Sequence, residues 1–199
     1  MVCSTSVFSH ASRAKRMLAS AVIFGLSTAA SLAADDRLAK VIDNYGCQVS
    51  EALKTLGSTP TTVAKPFLTV AVTGKVAKQI ECRFEDGRTH LLCETAPISK
   101  DKAGDGSFYP ISKRGGAALA RLGFAMNEAA GTFQRSVSFE PTGEVRSVAE
   151  LMLSALYGAY GMRDPDAGLS LIAAEESLTD LHAITACPGK HTVWGIALR

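Results

Sequence analysis

Apolar positions recur with two different periods along the chain. From Asp35 to Leu56 the period is helical. Leu38, Val41, Ile42, Tyr45, Val49, Ala52, Leu53 and Leu56 follow i, i+3, i+4, i+7 spacing and make one apolar stripe. Asp35 and Asp36 suit the N-terminal dipole of that helix, and Gly57 suits its C-terminal stop. Period two follows. Phe67–Thr73 places Leu68, Val70 and Val72 on one face, and Gln79–Glu85 puts Ile80, Cys82 and Phe84 inward against Gln79, Glu81, Arg83 and Glu85 outward. Asp86-Gly87-Arg88 is a turn, and Thr89–Thr95 returns as the partner strand. Thr132–Glu140 is a fourth strand with Phe133, Val137 and Phe139 on one face.

Between these strands, Pro97–Gly116 is a polar loop, Gly115-Gly116 a flexible entry, and Ala117–Leu122 a short helix ended by Gly123. Ser147-Val-Ala-Glu150 has the form of a capping box, so a second long helix is predicted from Val148 to Tyr160, stopped by Gly161. Only Glu150, Ser154 and Gly158 interrupt its apolar surface, so it is buried on two sides, within one subunit or against another. Leu153 and Tyr157, on its second side, are the candidate partner contacts. Leu169–Ala174 and Val193–Leu198 are further strands, with Ser177-Leu-Thr-Asp180 capping a short helix between them. This order predicts an α+β domain. An antiparallel sheet is packed by the N-terminal helix and the central hydrophobic helix in a two-layer sandwich, with a C-terminal extension from about residue 175.

Charge changes the picture only once the first 33 residues are set apart. Arg13, Lys15 and Arg16 precede the apolar run Met17–Leu26, and Ser31-Leu32-Ala33 supplies small residues at −3 and −1. That is the form of a signal peptide cut between Ala33 and Ala34, with Met17 as an alternative start. The mature chain is then residues 34–199, one domain, periplasmic or secreted. Removing the leader's three basic residues from the chain's 21 leaves 18 against 19 acidic. A near-neutral body argues against nucleic acid as partner, and its hydrophobicity argues against disorder. No later window is long and apolar enough for a stable membrane span.

Export decides how the four remaining cysteines are read. With no CxxC, two structural disulfides are predicted for Cys47, Cys82, Cys93 and Cys187. A two-residue Gly87-Arg88 loop, as a II′ turn, makes paired residue numbers sum to 175 and sets Cys82 opposite Cys93. A loop at Asp86-Gly87 would instead set Cys82 opposite Leu91. Cys47 lies about 180° from the helix stripe, taking ~100° per residue. The predicted partner is Cys187, and a Cys47–Cys47 bond across a dimer is the rival.

Chemistry is sparse. There is no G-x-S-x-G elbow, no Gly-rich phosphate loop and no close histidine pair among His90, His182 and His191, so no catalytic, cofactor or metal residue is assigned. Asp101 and Asp105 fall short of a calcium loop, and Lys100, Lys102, Lys113 and Arg114 make one basic, solvated loop. Arg135 breaks its strand's apolar face. It either reaches solvent from an edge or anchors a partner's carboxylate.

The segments Leu122-Gly-Phe124, Phe133-Gln-Arg135, Val148-Ala-Glu-Leu-Met-Leu, Tyr160-Gly161 and Pro165 to Leu169 resemble the TY-Chap (YbjN-like) family. The resemblance covers about residues 119–171. It implies the fold of type III secretion chaperones, a helix packed on an antiparallel sheet, often dimeric, binding protein segments without catalysis. Export, four cysteines and an extra C-terminal segment depart from that pattern. The expectation is therefore a non-catalytic exported binding or chaperone-like protein whose partner is another protein or a second copy. The alternatives are a periplasmic hydrolase with a dispersed acidic site among Glu81, Glu85 and Glu94, and a structural envelope component.

Overall fold

The N-terminal stripe is continuous helix, α1 (Ser27–Ser58), in the computed structural model, which describes residues 27–58, 65–73, 75–98, 110–140, 143, 145–162, 164, 167–174, 187 and 194–198. Val41, Tyr45, Val49, Ala52, Leu53 and Leu56 are fully buried along it. A hairpin follows, β1 (Phe67–Val72) and β2 (Lys75–Glu85), then β3 (His90–Thr95). Helix α2 (Lys113–Arg121) leads to β4 (Ala125–Asn127) and β5 (Thr132–Ser138). Helix α3 (Val145–Tyr160), β6 (Leu169–Ala174) and β7 (Trp194–Leu198) complete the described elements. The predicted helix capped at Ser177 lies outside the described residues.

The strands form one sheet in the order β4-β5-β3-β2-β1-β6-β7. Six of them are antiparallel neighbours, as the hairpin signals require. The predicted C-terminal strand is β7, in the same sheet, and it pairs parallel with β6, Ile172 beside Ile196. Short β4 was not predicted because three residues carry no period.

In the β2–β3 hairpin, Cys82 faces Cys93 and Phe84 faces Leu91, the register in which residue numbers sum to 175. The turn differs from the II′ expectation. Gly87 (φ 65, ψ 24) and Arg88 (φ 73) are both left-handed, the geometry of a type I′ turn. A left-handed arginine is sterically costly. Its Nη1 donates to the Leu56 and Gly57 carbonyls at 3.3 and 3.5 Å, which satisfies the last turn of α1. Gly57 is therefore not a left-handed stop. It sits inside the last turn, where an added Cβ would lie 2.7 Å from the Phe139 ring.

The helices pack on one face of the sheet, called the inner face here. Helix α3 lies against β1 and β2 on one side and α1 on the other, with α2 beside it. That enclosure corrects the expectation of a partner surface on α3: Leu153 is fully buried within this chain and Tyr157 is half-buried. The helix also starts earlier than Ser147 predicts. Arg146 and Glu150 form an i, i+4 ion pair at 2.9 Å, and Val145 joins the core.

Tyr160 fastens the end of α3 to the sheet. Its hydroxyl donates to the Gln79 carbonyl at 3.1 Å and accepts from the Ala96 N–H at 3.3 Å. Burial pushes its pKa up to about 12, although the hydrogen bond from the Ala96 N–H pulls the other way. In the unfolded chain a tyrosine ionises near pH ~10. The unfolded state therefore loses its proton first, and stability present below pH ~10 is lost as the pH rises towards 12. Tyr160→Phe is expected to cost about 1–3 kcal/mol at pH 8 by removing the partner of the buried Ala96 N–H and of the part-buried Gln79 carbonyl. It should also flatten the decline between pH 10 and 12, as urea denaturation at pH 8 and 11 would read.

Candidate functional site

On the outer face, opposite the helices, strict alternation in β2 sets Glu81 and Arg83 side by side, and the hairpin register sets Glu81 directly opposite Glu94. Two like charges across a strand pair repel. Arg83 Nη2 lies 2.7 Å from Glu81 Oε1 and 3.0 Å from Glu94 Oε1, so one guanidinium answers both. The hydrogen bond to Glu81 holds the Arg83 pKa above its ordinary value, with the charges of Glu81 and Glu94 adding to it against the opposing effect of burial.

The network extends sideways. Thr69 donates to Glu81 at 3.2 Å, Gln134 donates to Glu94 at 3.0 Å, and Asn127 donates to Gln134 Oε1 at 2.9 Å. A polar ladder thus crosses five strands, β1, β2, β3, β5 and β4. Phe67 and Leu92 occupy the register positions on either side of Arg83, and both are half-buried. The three charged side chains are only 33%, 22% and 21% exposed, so the ladder is screened less than a surface ion pair. Beside it, His90, Ser136 and Ser138 are exposed.

This geometry bears on the acidic residues singled out in the sequence. Glu81 and Glu94 meet, but through Arg83. Glu85 is paired elsewhere, its Oε2 2.8 Å from Lys65 Nζ. Each of these two carboxylates spends an oxygen on the Arg83 guanidinium. The arrangement presents a preordered row of donors and acceptors flanked by apolar side chains, which suits holding a polypeptide. Comparison with protein-family models, curated proteins and solved structures finds no match to this chain.

Arg135 is half-buried and bonded within its own chain. On the inner face of β5 its Nη1 donates to the Leu122 carbonyl and so caps the C-terminus of α2. The approach is open because Gly123 has no side chain and adopts φ 79, and the guanidinium passes 3.5 Å from where a Cβ would stand. Lys113 and Arg114 are exposed in the first turn of α2 rather than in a loop. Ser112 caps that helix, its Oγ accepting from the Gly115 N–H at 3.1 Å. Gly115 is not a flexible entry. A Cβ there would stand 2.3 Å from the Ala159 carbonyl oxygen, so it is where α2 crosses α3.

The cysteines fall into two unlike bridges. Cys82–Cys93 is fully buried on the inner face, with Cα atoms 3.9 Å apart. Cys47–Cys187 joins the exposed outer side of α1 to the connection between β6 and β7, with Cα atoms 5.8 Å apart. Ala33 and Ala34 lie in the backbone of α1. Lys100, Lys102, Asp101, Asp105, His182 and His191 lie outside the described residues. Among the described residues, no group of three His, Cys, Asp or Glu side chains could hold a metal ion, and no helix is long and apolar enough to cross a membrane.

Arg83, at the centre of the ladder, was not singled out from the sequence. The signal was available. Any register that pairs Cys82 with Cys93 also opposes Glu81 and Glu94, and two opposed carboxylates call for a cation next along the same face.

Proposed function

We propose that this chain is an exported, non-catalytic binding protein of chaperone-like type, and that it holds a polypeptide segment of another protein on the outer face of β2, β3 and β5. The observation that carries the reading is the five-strand polar ladder centred on Arg83. It fixes a flat surface in advance, which lowers the ordering cost of docking. The two disulfides support export to an oxidising compartment. Enclosure of α3 leaves the sheet rather than that helix to meet a partner, and the likeness to TY-Chap proteins points to the same class of role.

The test is co-purification from the exported fraction, comparing the wild type with Leu92→Arg and Ser136→Arg, both on the outer face. Recovery of the bound polypeptide should fall about tenfold or more, equivalent to at least ~1.4 kcal/mol. Recovery unchanged by both variants would remove the sheet face as the binding surface. A hydrolytic activity abolished by Glu81→Gln or Glu94→Gln would replace the whole reading with an enzyme.

A further inference from the structure

The two disulfides differ in what can reach them. Cys82 and Cys93 are fully buried among core side chains on the inner face of the sheet. Cys47 is exposed on the outer side of α1, and Cys187 is half-buried. Thiol–disulfide exchange begins when a thiolate reaches one sulfur, so access decides which bridge a reductant meets, and exposed bridges are the labile ones. Cys47–Cys187 can be met in the folded protein. Cys82–Cys93 can be met only after the core opens.

Little hangs on the exposed bridge. Around Cys47, α1 is held by Val41, Tyr45, Val49 and Leu53, all fully buried, and the Tyr45 hydroxyl donates to the Ala167 carbonyl at 2.9 Å, just ahead of β6. Strand β6 is held in turn by its antiparallel pairing with β1 and by the fully buried Leu169, Leu171 and Ala173. None of these contacts needs the bridge. Strand β7 is different. It ends the sheet, pairs parallel with β6 from Ser170 beside Trp194 to Ala174 beside Leu198, and has β6 as its main neighbour among the described elements. Parallel pairing is the weaker kind per residue. Cys187, seven residues ahead of Trp194, ties the approach to that strand onto α1.

We propose that Cys47–Cys187 is a site of thiol–disulfide exchange for a protein dithiol, and that opening it releases β7 from β6 while the other described strands stay paired. A thiolate of the reductant attacks Cys47 Sγ and forms a mixed disulfide, and the Cys187 sulfur leaves as a thiolate that takes up a proton. The reductant's second thiol gives up its proton and attacks the mixed disulfide. Cys47 departs as a thiolate and is protonated, the reductant leaves as its own disulfide, and two electrons and two protons have passed to the protein. The freed edge of β6 is then a row of backbone N–H and C=O groups open to another strand. Export enters only because an oxidising compartment closes the bridge, and the test starts from oxidised protein, so its failure and the failure of that reading are separate.

The test is reduction of the oxidised full-length chain by dithiothreitol under native conditions, with free thiols trapped by alkylation and mapped by mass spectrometry. Cys3, the fifth cysteine, is blocked beforehand. Cys47 and Cys187 should be labelled at least ~100-fold faster than Cys82 and Cys93. A pulse of hydrogen exchange, short enough to leave β1, β2 and β3 protected in the oxidised chain, is then applied to the reduced one. Amides of Trp194–Leu198 should lose protection about tenfold or more, with β1, β2 and β3 unchanged. The double variant Cys47→Ser, Cys187→Ser should show the same pattern without reductant. Equal reduction of the two bridges, or a β7 as protected after reduction as before, would overturn the proposal. Loss of protection across the whole sheet would overturn it too, because the bridge would then support the entire fold rather than one strand.

Discussion

With serine at both Cys47 and Cys187, the chain is expected to unfold more easily by up to about 4–5 kcal/mol. The bridge joins positions 140 residues apart, which removes much of the unfolded chain's freedom. Residual structure in the denatured state makes the figure an upper bound. Because Cys47 is exposed on the outer side of α1, serine there opens no hole in the core, and the loss is assigned to the cross-link itself. Urea denaturation of the oxidised wild type and the double variant measures it, and the variant's m-value should rise as its unfolded chain expands. A loss below ~1 kcal/mol would mean that the bridge constrains little. A covalent dimer on non-reducing electrophoresis, abolished by Cys47→Ser alone, would replace the pairing with Cys47–Cys47.

Gly115→Ala should have the opposite sign from most glycine-to-alanine changes in helices, which gain up to ~1 kcal/mol. The added methyl would stand 2.3 Å from the Ala159 carbonyl oxygen and 2.9 Å from Ile111 Cγ2. A backbone oxygen cannot turn aside as a rotamer does, so α2 must lift from α3. The expected cost is about 2–4 kcal/mol. Gly116→Ala is the control, since its Cβ would meet only the edge of the Phe133 ring at 3.2 Å. Equal stability of the Gly115→Ala variant and the wild type would contradict the crossing described here.

Periodicity made the buried halves of α1, β1, β2, β3, β5 and α3 legible, because burial on one face writes itself into the spacing of apolar residues. It could not show where elements begin when local capping and packing disagree. Ser147 has the chemistry of a cap, yet α3 starts at Val145. Glycines misled for a related reason. Gly57 and Gly115 read as a stop and a flexible entry in one dimension, but each is required by a neighbour distant in sequence, the Phe139 ring and the Ala159 carbonyl. Arg135 was singled out correctly as an exception on its strand, while its partner, a helix-end carbonyl, leaves no mark in a sequence. The parallel placement of β7 was equally unreadable, since a strand's pattern does not state its direction.

The two bridges also differ in when they can close. Cys82 and Cys93 are separated by 11 positions and meet through a local hairpin, a process of about 1–10 μs once the chain is free. Cys187 follows Cys93 by 94 residues, which at ~5–20 residues per second is a delay of roughly 5–20 s during synthesis. Throughout that interval Cys47 waits as an unpaired thiol. Closure and burial of Cys82–Cys93 withdraws two wrong partners of Cys47 from exchange. A change that slows the Gly87-Arg88 turn would therefore show itself first as scrambled cysteine pairing and only afterwards as lost stability.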